Sequence, residues 1–167
     1  AGAAFAMAQK ISALSLGDAA LKKIGIRKGL PETEDQALVY LFMASSSLSG
    51  DDYEKLLDDF IRQFPANADG YLRRANYYAA KGKDDHAWYD KAVADFNQAL
   101  KVAQKKDDVY YNIGKLMYAY QLSKPEKTYK DWTYDTALQN VRQAIAIDPL
   151  PIYIQMEGDI LFAQQDY

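Results

Sequence analysis

Cysteine is absent from this chain, and histidine occurs once, as His86. Without a thiol there is no disulfide, no thiolate nucleophile and no cysteine-based zinc site. One imidazole cannot supply a histidine-pair metal motif either. The missing cysteines do not report a redox compartment, because a chain without them suits either kind. No apolar run is long enough to cross a bilayer. The 9 glycines are scattered, so no phosphate-cradling loop can be drawn. Charge of one sign is lacking too: the net value is −3, and bases are interleaved with acids, as in Lys105-Lys106-Asp107-Asp108. That pattern leaves no phosphate-tracking stripe and no polybasic membrane patch, so nucleic acid is not an expected partner.

Catalysis is not expected. A general base needs an orienting carboxylate and a nucleophile within reach, and nothing in the sequence brings a serine or lysine to His86. A lone loop histidine beside Asp84, Asp85 and Trp88 reads as solvated. Asp58-Asp59 and Asp84-Asp85 are adjacent pairs that would point apart on a helix, so they read as surface charge. No metal site and no cofactor follow from these residues.

What is present is apolar and helical in character. Hydrophobic residues make up 49% of the chain, enough for a core and against disorder. Alanine, leucine and tyrosine dominate over valine, which favours helix. The strongest signal is internal similarity. Tyr-Asp-Lys-Ala-Val-Ala-Asp-Phe-Asn-Gln-Ala-Leu at 89–100 returns as Tyr-Asp-Thr-Ala-Leu-Gln-Asn-Val-Arg-Gln-Ala-Ile at 134–145. Ala92/Phe96/Ala99 and Ala137/Val141/Ala144 advance by four and then three, so each trio lies on one helix face. Small–large–small on a stripe lets two helices approach closely around one knob. Asp148-Pro149 then ends the second copy. A different helix precedes each: Tyr71 leads Ala75 by four, and Tyr110 leads Gly114 by four. The small residue marks where the first helix meets its neighbour's backbone.

Here the sequence resembles the tetratricopeptide repeat family, whose pattern is an aromatic, Leu-Gly, Tyr, then Ala-x3-Phe-x2-Ala and Pro. The resemblance implies an all-α fold, an α-α superhelix of antiparallel helix pairs. It extends over 34–167, divided at about 34–65, 66–105, 106–150 and an incomplete 151–167. The first copy carries Tyr40, Met43 and Ala44, then Tyr53, Leu56 and Phe60, ended by Pro65; Ile61 and Phe64 replace the second alanine. In the last copy Glu157 stands where the family prefers leucine. Residues 1–33 lie outside the repeat, with a helix start at Gly17-Asp18, stops at Gly25 and Gly29-Leu30-Pro31, and a capping box at Thr33–Gln36.

The two inter-helix junctions are long for the family, by about five residues around Asp84–Trp88 and about eleven within Gln121–Trp132. Equivalent junctions share one edge of a solenoid, so the insertions should be neighbours. His86, Trp88, Tyr129 and Trp132 on that edge either form a binding lip or fold back to cap the helix pairs; the cap is preferred. Register also implies a concave groove lined by Leu41, Phe42, Ser45, Leu72, Arg73, Asn76, Tyr111, Asn112, Lys115, Tyr118, Gln155, Met156, Asp159 and Phe162. Such a surface suits an extended peptide or a partner helix. The family's Lys/Asn/Arg clamp for a C-terminal carboxylate is not matched: Asn76 and Asn112 fall in place, but Leu72, Ile152 and Met156 occupy the charged positions.

Both ends carry expectations. Ala6-Met7-Ala8 before Gln9 reads as the cleavage site of a secretory signal. This tips localisation towards a bacterial-type periplasm or cell surface rather than the cytoplasm. The alternative is an Ala-rich helix with Ala1, Phe5 and Ala8 at second-helix spacing. At the other end, the helix near 152–164 would leave its apolar stripe of Ile154, Ile160 and Leu161 partly uncovered. Either the chain is part of a longer array, or a second copy covers this face by self-association. The functional expectation is a non-catalytic scaffold for a protein or peptide. Its alternative is a glycan- or small-molecule-binding accessory protein that uses Trp88, Tyr129 and Trp132.

Overall fold

The computed structural model describes residues 30–45, 48, 50–82, 85–123 and 129–165. Among them are seven helices and no strand, so the chain is all-α. The helices are α1 (Glu34–Ala44), α2 (Gly50–Gln63), α3 (Ala68–Lys81), α4 (His86–Val102), α5 (Asp107–Ser123), α6 (Tyr134–Ile147) and α7 (Pro151–Gln165). The expectations for residues 1–29, Asp84, the centre of the second insertion at 124–128 and Asp166-Tyr167 fall outside the described residues. The molecule divides into two compact units, one ending at Gly70 and the other beginning at Tyr71.

In the first unit, α1 and α2 form a hairpin. Ala37, Tyr40, Leu41 and Ala44 recur at three- and four-residue steps and are buried together, as are Leu56, Leu57 and Phe60 of α2. Leu41 is therefore a core residue, not a groove residue: it shares the stripe of Tyr40 and Ala44. Burial pushes the Tyr40 hydroxyl up to about 12. The expected capping box at Thr33 is corrected. Thr33 is the N-cap of α1, but its side chain makes no capping hydrogen bond. Gln63 Nε2 donates instead to the Pro31 carbonyl at 2.9 Å and ties α2 to the segment before α1. Gly70 fits because a Cβ there would stand 2.7 Å from the Phe60 ring.

The second unit is a succession of antiparallel hairpins. Asn67 Oδ1 accepts from the Asp69 and Gly70 amides and starts α3. Arg74 of α3 forms a bidentate pair with Asp95 of α4, both bonds 2.7 Å, and Tyr78 lies against Trp88. Low numbers meet high ones, so the two helices run antiparallel. The same holds for α5 on α6. Gly114 sits against Val141 and the Ala137 carbonyl, Asn140 reaches Met117, and Tyr111 clusters with Ala144. It holds again for α6 on α7, through Gln164–Asp135, Arg142–Glu157 and Tyr153 with Ala144. Thr133 and Thr136 make a reciprocal capping box that starts α6, and Pro151 opens α7.

Ala92, Phe96 and Ala99 are buried, and so are Ala137, Val141 and Ala144. The second trio meets α5 where four/three spacing alone would align it: Ala137 and Val141 lie at Gly114, and Ala144 clusters with Tyr111. Two readings change. His86 and Trp88 do not lie in a loop: α4 begins at His86, with the Asp85 side chain accepting from the Ala87 amide. Ile160 does not belong to the uncovered stripe of α7, because it is fully buried against Ala137, Leu138 and Val141. No described helix is long and apolar enough to cross a membrane.

Candidate functional site

Two surfaces of the second unit bring sequence-derived site residues together. The first is built from the start of α4, the end of α5 and a short strap, residues 129–132, that precedes α6. Tyr89, Tyr120, Tyr129 and Trp132 form one buried cluster, with Val93, Leu116 and Met117 packed on it. Ring centroids of Tyr89–Trp132 and Tyr120–Trp132 are both 5.4 Å apart, and Tyr129–Trp132 is 4.8 Å, all edge-on. That geometry places a ring edge on a neighbour's face, the favoured arrangement for aromatic quadrupoles. Gly82 lets the cluster close, since a Cβ there would meet the Tyr89 ring at 2.7 Å.

Polar groups fasten the strap. Tyr129 Oη donates to Asp90 Oδ1 at 2.6 Å, and Lys130 Nζ reaches the same oxygen at 2.5 Å. The Lys130 and Tyr129 donors hold the Asp90 carboxyl below its ordinary range, and Asp90 in turn raises the Lys130 ammonium. Burial, then the bond to Asp90, pushes the Tyr129 hydroxyl up, so it stays protonated as a donor. Lys130 adopts a left-handed φ of 54°, a conformation uncommon for a residue with a side chain. His86 Nε2 lies 3.2 Å from Tyr120 Oη, and its ring is 4.5 Å from that of Tyr129. The geometry is that of a clamp: Asp90 accepts from two side chains of the strap.

Of the four loop-edge residues, His86, Tyr129 and Trp132 are thus assembled, and Trp88 is not. Trp88 lies beside Tyr78, with Lys81 and Lys91 ammoniums at 4.5 and 4.2 Å from its ring centroid. A sugar platform needs an open ring face. Trp132, at 2% exposure, and Tyr129 offer none. Trp132 does line a cavity of about 240 Å³ between α4, α5 and α6, floored by Phe96, Ile113, Leu116 and Met117 and edged by Asn97, Asp131 and Asn140. Nothing in the amino-acid order pointed to it beyond the insertion that carries Trp132.

The second surface is the face shared by the first helices. Asn76 Nδ2 of α3 donates to Asn112 Oδ1 of α5 at 3.1 Å, and Asn112 Nδ2 donates to the Asp108 carbonyl at 2.7 Å. Tyr118 Oη of α5 donates to the Asp159 carbonyl of α7 at 3.3 Å, and the Tyr111 and Tyr153 rings are 4.8 Å apart. Low numbers meet low here, so α3, α5 and α7 stand side by side and parallel. Asn76, Lys115, Gln155, Asp159 and Phe162 are exposed; Arg73, Asn112, Tyr118 and Met156 are half-buried. Arg73 Nε is buried with no hydrogen-bond partner.

Leu72 and Tyr111 are corrected to core positions. Leu72 is buried, and Tyr111 fills the space between α5, α6 and α7, because a first helix flanked on both sides keeps only a narrow outward strip. Met156 also leans on the α6 clusters. Phe42, which belongs to the first unit, is exposed. Sequence reasoning missed the Arg74–Asp95 pair. A hint was available, since Asp95 falls within the apolar stripe Ala92/Phe96/Ala99, where an acid needs a partner. Among the described residues, no three His, Asp or Glu side chains gather as a metal site would require. Compared with known proteins, the chain matches no family model, no curated protein and no solved structure.

Proposed function

We propose that this chain is a tetratricopeptide-like superhelical scaffold that holds a protein or peptide along the face of its first helices. The observation that carries the reading is the Asn76–Asn112 hydrogen bond, which with Tyr118–Asp159 sets three first helices in parallel register. A parallel row of helices offers polar groups at a regular spacing, as an extended peptide does. Exposed Lys115 supplies a charge, and exposed Phe162 supplies apolar area. The unsatisfied Arg73 Nε favours a ligand that brings an acceptor, such as a peptide carbonyl.

The test is selection of peptides from a display library on the whole chain, followed by calorimetry on the best binder. Asn112→Ala with Lys115→Glu should weaken that binder about tenfold or more, while Asp59→Ala on α2 should not. Equal affinity for all three proteins would defeat the reading. A second reading, a small apolar ligand, is favoured only by the cavity beside Trp132. The groove contains no tryptophan, so quenching of Trp132 emission on ligand addition separates the two.

A further inference from the structure

We propose that the cavity between α4, α5 and α6 binds a small aromatic molecule that carries one protonated amine. The site rests on the second reading above, a small apolar ligand, and is independent of the peptide groove. Two equivalent helix contacts, α6 on α7 and α4 on α5, differ there. When 89–100 is laid on 134–145, Val93, Asn97 and Leu100 of α4 correspond to Leu138, Arg142 and Ile145 of α6. One residue before the glycine of each first helix, Ile113 of α5 corresponds to Glu157 of α7.

Where α6 meets α7, the contact is closed. Leu138 is buried beside Ile160 with Ile145 packed on the cluster, and Arg142 Nε donates to Glu157 Oε1 at 2.6 Å. Where α4 meets α5, neither half of that ion pair exists: an amide, Asn97, and an apolar side chain, Ile113, take its place. Leu116 stands where Ile160 does and is only half-buried. Trp132 of the strap stands between the start of α4 and the end of α5, its ring 5.4 Å from those of Tyr89 and Tyr120. The space left beside it is the cavity of about 240 Å³, walled by Phe96, Leu100, Ile113, Leu116, Met117 and Trp132.

Size and chemistry specify the ligand. A dry cavity of about 150 Å³ holds benzene, so this one takes an aromatic ring with a short side chain. Phe96, Trp132 and the Met117 thioether favour a ring over an aliphatic body, because ring edges and sulfur both attract aromatic groups. The edge of the cavity is a set of acceptors. Asn140 spends its amide nitrogen on the Thr136 carbonyl at 2.8 Å and the Met117 sulfur at 3.7 Å, which leaves its Oδ1. Lys130, the cation of the same edge, is bonded to Asp90, so the charge left there among the described residues is the Asp131 carboxylate. Asn97 and Asp131 are exposed and mark the mouth. Acceptors over an apolar floor match a donor head on an aromatic body, and the carboxylate makes that head a cation.

The probe is 2-phenylethylamine, titrated into the whole chain carrying Trp88→Phe, in which Trp132 is the one tryptophan left. Saturable quenching of that emission is expected. Should Trp88→Phe melt early, the ligand-induced rise in melting temperature of the wild-type chain reads the same series. Asp131→Asn should weaken binding about tenfold without moving the melting temperature, because Asp131 is exposed. Ethylbenzene, which keeps the ring and lacks the amine, should bind about tenfold more weakly, and 3-phenylpropionate, of opposite charge, should not saturate. Equal affinity for ethylbenzene or for the acid, or undiminished binding in Asp131→Asn, would overturn the cationic ligand and leave the apolar reading standing. Saturation by none of the three would overturn both.

Discussion

Helices α5 and α7 carry a glycine at the same register, and the two glycines live in opposite worlds. At Gly114 the neighbouring helix is so near that a methyl group would strike a backbone carbonyl oxygen and a valine methyl. At Gly158 the same methyl group would meet none of the described residues within 4 Å. The residues are chemically identical, and so is their helical conformation; only the presence of α6 differs. A glycine in this fold is thus demanded by close approach in one hairpin and merely tolerated in the other.

The contrast can be broken most forcefully through aromatic residues. Phe96→Ala, on the buried side of α4, should cost about 3–5 kcal/mol in urea denaturation, whereas Phe162→Ala on the exposed face of α7 should stay within about 0.5 kcal/mol. Similar losses at both positions would mean that the α7 face is covered in solution.

Charge gives a second comparison. Asp95→Ala removes the bidentate carboxylate partner of the half-buried Arg74 guanidinium and should cost about 3 kcal/mol. Arg142→Ala removes only the exposed bond to Glu157 and should cost about 0.5 kcal/mol or less. Chemical denaturation of the two variants side by side measures the difference.

The glycines themselves give effects of opposite sign. Gly114→Ala should destabilise by about 1–3 kcal/mol through overpacking, and Gly158→Ala should stabilise by about 0.5–1 kcal/mol by restricting the unfolded chain. Thermal melts that move in the same direction would refute the assigned packing.

The smallest effect concerns the strap, and its sign follows from Asp90. The native carboxyl titrates below its unfolded value, so its contribution is present above that unfolded value and lost as pH falls through the native one. Trp132 emission should therefore respond to acid at the foot of the carboxylate range, and Asp90→Asn should flatten that response. An unchanged acid limb in Asp90→Asn would show that the strap is held otherwise.

How much of this was legible in the sequence depends on the range of the interaction. Ala92/Phe96/Ala99 and Ala137/Val141/Ala144 could be read because helical periodicity is local, and a face that must be buried repeats every turn. The alignment of Asn76 with Asn112 could be anticipated by the same counting. Leu41 and Tyr111 could not be assigned between groove and core, since an apolar residue at a stripe's edge suits either. Ile160 shows the same ambiguity more sharply: α7 carries apolar residues on more than one face, and periodicity cannot say which side meets α6. Asp95 and Arg74 lie 21 residues apart, and nothing short-range marks them as a pair.

The amino-acid order alone determined that this protein is helical, that its helices alternate between two kinds, and where small residues permit contact. Those properties follow from backbone hydrogen bonding and from side-chain spacing along one helix. Tertiary structure decided which apolar faces found a neighbour, that Trp132 and Tyr129 turned inward under the Asp90 clamp, and that Gly158, unlike Gly114, met no neighbour among the described residues. Burial is a relation between distant segments, and it is settled only when those segments are packed together.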